Sequence, residues 1–160
     1  MFEAGLFLIV ICVAFFKSIV VVQQGYEYTV ERLGRCTKTL KPGIHFLIPL
    51  VELVGAKFKT KEVIDIVLQN TTKDNKVVCI DAVLKYQIQD VYKAASYKGD
   101  LKLDILNLAI TNIRSMIKEM DMSELKSKWH DVNRELLSLV EKETMSWGIQ
   151  VTHIEMKDLI

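Results

Sequence analysis

Three cysteines and three histidines are the residues of this chain best suited to hold a metal or attack a substrate. Cys12, Cys36 and Cys79 have no C-x-x-C spacing. His45, His130 and His153 stand 85 and 23 residues apart, which matches no local ligand pattern. A Ser or Cys nucleophile needs a base beside it, and neither a G-x-S-x-G elbow nor a Walker loop is present; Gly34 and Gly43 read as turn glycines. The widely spaced thiols read as small buried hydrophobes of a reducing compartment rather than a disulfide framework. No catalytic residue, metal or cofactor is expected, and the chain does not read as an enzyme. A net charge of +1 with 26% charged residues also gives no nucleic-acid surface.

The chemistry that the residue types do suggest is that of a lipid surface. After Met1-Phe2-Glu3 the run from Ala4 to Phe16 is unbroken apolar. Ala4, Leu6, Phe7, Leu8, Ile9, Val10, Ile11, Val13, Phe15 and Phe16 are expected to form a membrane anchor. Lys17 and Ser18 interrupt, and Ile19 to Val22 resumes. Read through, Ala4 to Val22 is nineteen residues. As a helix it would be about 28 Å long, close to the hydrocarbon thickness of a bilayer. Lys17 either extends its stem to the interface or marks the helix end, and in the second case Ile19 to Val22 opens the first strand. The anchor therefore occupies 1–22, ending between 16 and 22, and a folded domain follows over 23–160. A cleaved signal peptide would want Lys or Arg before the apolar run and small residues at its end, but Glu3 leads and no A-x-A-like site follows. A core helix would need a helical partner, and strands come next. Cations after the anchor place the domain on the cytoplasmic or matrix side.

Two further stretches could meet the same surface. Arg32, Arg35, Lys38 and Lys41 read either as solvated strand charge or as a patch against anionic head groups. Ile44, Phe46, Leu47, Ile48, Leu50 and Val51 read either as a core strand or as a loop in the interface. Arg32, Arg35, Lys38, Phe46, Leu47 and Ile48 are the candidate interface residues.

The elements that position them follow from periodicity. Tyr26, Tyr28 and Val30 alternate with charged and polar residues as in a half-buried strand. Lys41-Pro42-Gly43 has type II turn chemistry, and Ile44 to Ile48 reads as a short strand closed by Pro49. Ile64, Ile66 and Leu68 alternate, the turn Thr72 to Lys76 follows, and Val78, Ile80, Ala82, Leu84, Tyr86 and Ile88 share one strand face, giving an antiparallel pair. Asp90 to Tyr97 predicts a short helix capped by Asp90. Leu101 to Met120 predicts an amphipathic helix. Asp121 with Glu124 predicts a capping box for a further helix, in which Leu125, Trp129, Val132, Leu136, Leu139 and Val140 share a face. Gly148 reads as its stop, and the phase change from Ile149 and Val151 to Ile154 and Met156 predicts a bulge in a closing strand. The fold class is α+β: an antiparallel sheet packed with helices, preceded by a single N-terminal transmembrane helix.

Gly25-Tyr26, Val30-Glu31-Arg32-Leu33-Gly34-Arg35, Leu40 to Phe46 with Pro49, Thr72 to Asn75 before Asp81-Ala82, Arg114-Ser115, Trp147 to Val151 and Glu155 to Asp158 together resemble the stomatin–prohibitin–flotillin (SPFH, Band 7) domain over about residues 20–160. The resemblance is closest to its stomatin-like (paraslipin) branch. Asp90-Val91 stands where the family has an acidic-Pro pair, and His130 where it has an arginine. The resemblance implies a non-enzymatic protein of the bacterial or mitochondrial inner membrane. It would bind membrane lipids, form a homo-oligomer and organise a membrane microdomain or membrane complexes, with the Phe46 region used for membrane association. A regulatory adaptor of a membrane AAA protease or channel is the other role the family offers. It also implies an Ala/Glu-rich coiled coil after Ile160, so the sequence reads as truncated before it.

Overall fold

A computed structural model describes residues 18–49 and 51–159. They form two compact units that divide between Thr60 and Lys61.

The first unit is all strand. β1 (Ile19–Val22) pairs antiparallel with β4 (Gly43–Phe46) as a two-stranded ribbon. β2 (Tyr26–Arg32) lies between β3 (Arg35–Leu40) and β5 (Glu52–Lys59) in a three-stranded antiparallel sheet. The anchor expected over Ala4 to Phe16 lies outside the described residues, but its extension to Val22 is corrected: Ile19 to Val22 is strand. The run of β-branched residues takes the extended form because four backbone partners from Gly43 to Phe46 lie alongside it. Among the described residues no helix is long and apolar enough to cross a membrane. The expected type II turn is instead a sheet switch, since β3 ends in one sheet and β4 begins in the other. Gly43 takes φ 143 at the start of that strand.

The second unit is the α+β part. β6 (Lys61–Thr71), β7 (Val77–Ile88) and β8 (Ile149–Leu159) form an antiparallel sheet with β7 at its centre. Ile64, Ile66 and Leu68 on β6, and Val78 to Tyr86 on β7, turn alternate residues inward as the period-two pattern predicts. Against that face pack α2 (Leu101–Glu119) through Ile105, Ala109, Ile113 and Ile117, and α4 (Trp129–Thr144) through Val132, Leu136 and Val140. The short α1 (Val91–Ser96) is capped as expected, with the Asp90 carboxylate accepting from the Tyr92 and Lys93 amides. Asp100 caps α2 in the same way. Gly148 takes φ 79, and its carbonyl accepts from the Gln89 and Asp90 amides. The predicted bulge is present: Lys85 faces His153 while Tyr86 faces Val151, so Thr152 is the extra residue.

Two local expectations are corrected. The helix after Asp121 is broken into α3 (Met122–Ser127) and α4 at Lys128, and Leu139 is exposed. Asp121 makes no side-chain cap. The first amide of that helix, that of Met122, instead donates to the Asp74 carboxylate in the β6–β7 turn at 3.3 Å. Asp74 also accepts from the Thr72 hydroxyl at 2.5 Å and pairs with Lys76 at 2.9 Å. The Thr72 hydrogen bond, then Lys76 and the Met122 amide, pull its carboxyl down to about 2.

Candidate membrane interface

The β1–β4 ribbon has two faces. Ile19 opposes Phe46 and Val21 opposes Ile44, and the alternation of strands puts all four on one face. That face is exposed: Val21 is 61%, Ile44 68% and Phe46 63% accessible. The other face carries Val22, which joins Val30, Leu40 and Leu47 in the small core of this unit. Ile48 is exposed as well.

Hydrogen bonds and register gather the remaining features at one end of the unit. Ser18, where the described chain begins, accepts from the Leu47 amide through its carbonyl at 2.7 Å and donates its hydroxyl to the Leu47 carbonyl. One residue on, the Ile48 amide donates to the Glu52 carboxylate at 3.1 Å, and Glu52 stands opposite Arg32 in the sheet. Lys38 reaches both oxygens of Glu52 at 3.1 Å. The Ile48 amide and then Lys38 hold that carboxyl below its usual range. At the same end the β2–β3 hairpin turns through Leu33 and Gly34, with φ 51 and 77, the two positive values that a type I′ turn requires. Leu33 is 90% exposed. An L-residue other than glycine held in this region costs about 1–2 kcal/mol. Arg32 and Arg35 face each other directly below the tip. The opposite end of the unit holds Gly25, whose carbonyl accepts from the Thr60 amide, together with the Leu40 to Gly43 switch.

The sequence-predicted residues therefore part company. Arg32, Arg35, Phe46 and Ile48 lie exposed at or beside one end, and Lys38 is there but engaged by Glu52. Leu47 is corrected to core, 4% exposed, because it falls on the opposite side of the strand from Phe46 and Ile48. Lys41 belongs to the other end. Sequence reasoning missed Leu33 and the exposed Leu53, and it read Ile19 and Val21 as the end of the anchor or the opening of a strand without seeing that they share an exposed face. His45 rests on the Lys41 carbonyl at 2.7 Å, His130 is exposed on a helix, and His153 pairs with Glu155. Among the described residues no cluster of side chains could hold a metal. Cys36 and Cys79 are free thiols, and the expectation that they are buried is corrected: Cys79 is exposed because it falls on the outer face of β7, and Cys36 is half-buried, where burial followed by the nearby Glu31 pushes its thiol up. Charge is also divided: residues 18–60 hold six lysines and arginines against three glutamates, while 61–159 hold fourteen against sixteen acids.

The profile of the SPFH domain / Band 7 family matches residues 20–160, spanning both units. The chain belongs to this family. Among SPFH/Band 7 relatives, an uncharacterised protein of Methanocaldococcus jannaschii is 39% identical over 89% of this chain and 72% of its own length. A stomatin homolog of Pyrococcus horikoshii is 30% identical over 99% of this chain and 60% of its own. A rat protein named stomatin-like protein 2, mitochondrial, is 29% identical over 88% and 40% respectively. These names put the chain on the stomatin-like side of the SPFH/Band 7 family. It spans between about two-fifths and three-quarters of the length of these relatives.

Proposed function

We propose that this SPFH/Band 7 chain is a membrane-held scaffold that acts without chemistry of its own, associating side by side with copies of itself to organise a patch of membrane or the complexes within it. The observation that carries the reading is the exposed apolar ribbon face of Ile19, Val21, Ile44 and Phe46, which is separated from the Ala4–Phe16 apolar run by two residues, Lys17 and Ser18. Such a face is costly in water; fully burying one side chain of this kind is worth about 1.5–3 kcal/mol. A bilayer beside the N-terminal run is the nearest apolar phase to take it. The excess of cations over acids in the same unit suits the charge of a phospholipid surface. Once the chain is held there, its motion is confined to two dimensions, which raises the effective concentration for lateral contacts. β6 and β8 are the outer strands of their sheet, and Val63, Val67 and Val77 are exposed on it. Such edges and apolar spots are what a lateral contact would use.

Alkaline carbonate extraction of membranes, followed by crosslinking of the pellet, tests both halves. The expected result is full-length protein in the pellet that crosslinks into a ladder of its own multiples. Release into the supernatant would remove the membrane half. A single band with one foreign protein, such as a membrane protease, would replace the scaffold by an adaptor.

A further inference from the structure

We infer that the tip of the β2–β3 hairpin is an insertion wedge for an anionic bilayer, with Leu33 entering the apolar boundary and Arg32 and Arg35 clasping lipid phosphate. The inference rests on the membrane reading above and assigns the residues that make the contact. Three features at this tip are unfavourable in water. A leucine occupies a positive-φ turn position where asparagine, aspartate or glycine is normal. Its side chain is almost wholly exposed. Directly beneath it Arg32 and Arg35 are partners across the strand pair, and like charges directly opposite each other destabilise a hairpin. Locally costly choices that coincide point to a function in which the cost is recovered. One occupant answers all three: an apolar layer takes the leucine, and a phosphate between the arginines turns repulsion into charge-assisted hydrogen bonds on both sides.

The surroundings select a bilayer over an acidic protein. The tip lies at the end of the first unit where the chain arrives at Ser18, linked through Leu47, Ile48 and Glu52. Phe46, Ile48 and Leu53 are exposed near the same end, and thirteen apolar residues, Ala4 to Phe16, precede it in the sequence. Glu52, opposite Arg32 and attracted by it, is already held by Lys38 and by the Ile48 amide, and Glu31 is the other acid beside the arginines, so the tip keeps an excess of cations.

The test uses the full chain with Cys12, Cys36 and Cys79 replaced by serine, carrying either Leu33→Cys or Ser138→Cys labelled with a polarity-sensitive fluorophore. Ser138 is exposed on α4 of the second unit and serves as the reference. In vesicles of phosphatidylcholine with phosphatidylglycerol, the label at 33 should shift to the blue and be quenched by nitroxide-bearing lipids several-fold more than the label at 138. Arg32→Gln with Arg35→Gln should remove most of that quenching, and phosphatidylcholine alone should reproduce the loss. A water-like label at 33 in protein that floats with the vesicles overturns the wedge and leaves membrane attachment standing. Protein that does not float overturns both. A label shielded in native membranes but not in vesicles assigns the tip to a polypeptide partner and overturns the lipid assignment.

Discussion

Among the described residues, twenty buried apolar side chains of the second unit form one cluster between the sheet and its helices, whereas in the first the cluster is Val22, Val30, Leu40 and Leu47. The first unit is not short of apolar residues. It carries Ile19, Val21, Leu33, Ile44, Phe46, Ile48 and Leu53 on its surface, against a helical unit that shields most of its own. Four core residues among those described, with Val20, Tyr28 and Val54 packed against them, bury little apolar area. The contrast is between a half whose described apolar residues mostly meet one another and a half that displays many of its own.

The largest expected effect tests the self-sufficient half. Leu84 is fully buried at the centre of the sheet, and Leu84→Ala should cost about 2–5 kcal/mol. Trp129 and Trp147 both lie in this unit, so the urea midpoint of tryptophan fluorescence reads the loss directly. A shift near zero would break the contrast between the cores. Next comes Gly148→Ala. A Cβ there would stand 2.5 Å from the Asp90 carbonyl oxygen in a backbone at φ 79. The left-handed conformation makes the expected cost about 1–3 kcal/mol by the same measurement, with the clash adding to it.

The third effect has the opposite sign and belongs to the other half. Leu33→Asn places a residue that tolerates positive φ at the hairpin tip and should stabilise the first unit by about 1 kcal/mol. Far-UV circular dichroism of urea-titrated protein in detergent would record it. A destabilisation would mean that Leu33 is packed, against the fold or against the micelle, and a repeat in a second detergent separates the two because only the micelle contact changes. The smallest effect concerns the Asp74 clasp. Its carboxyl titrates near 2 in the folded chain, while an unstructured aspartate titrates near 4. As pH falls the unfolded chain takes up the proton first, so the clasp contributes fully above about pH 4 and fades towards about pH 2. Asp74→Asn should lower the urea midpoint at pH 7 and converge on the unsubstituted protein near pH 2. A gap that persisted there would assign the effect to something other than ionisation.

Legibility followed the same division. β6 and β7 could be read because one sheet face is buried, which imposes strict alternation on neighbours joined by a short turn. The ribbon could not, because β1 and β4 pair across an intervening hairpin and no local signal specifies that meeting. An apolar run such as Ile19 to Val22 serves a helix or a strand equally well. In Ile44 to Ile48 the alternation exists, with Leu47 turned in and Phe46 and Ile48 out, but hydrophobic residues on both sides hide it. The cap at Met122 escaped for a similar reason. Asp121 sits beside it in sequence, and the carboxylate that binds it comes from Asp74, forty-eight residues earlier.

β5 runs from Glu52, opposite Arg32 at the base of the hairpin tip, to Lys59, opposite Tyr26 at the far end of the same sheet. Its eight extended residues span about 25 Å at the rise of a β-strand. One strand thus runs the length of this sheet, and a single residue inserted in it would slip its register against β2 and turn every following side chain to the opposite face, so its length is fixed by the pairing.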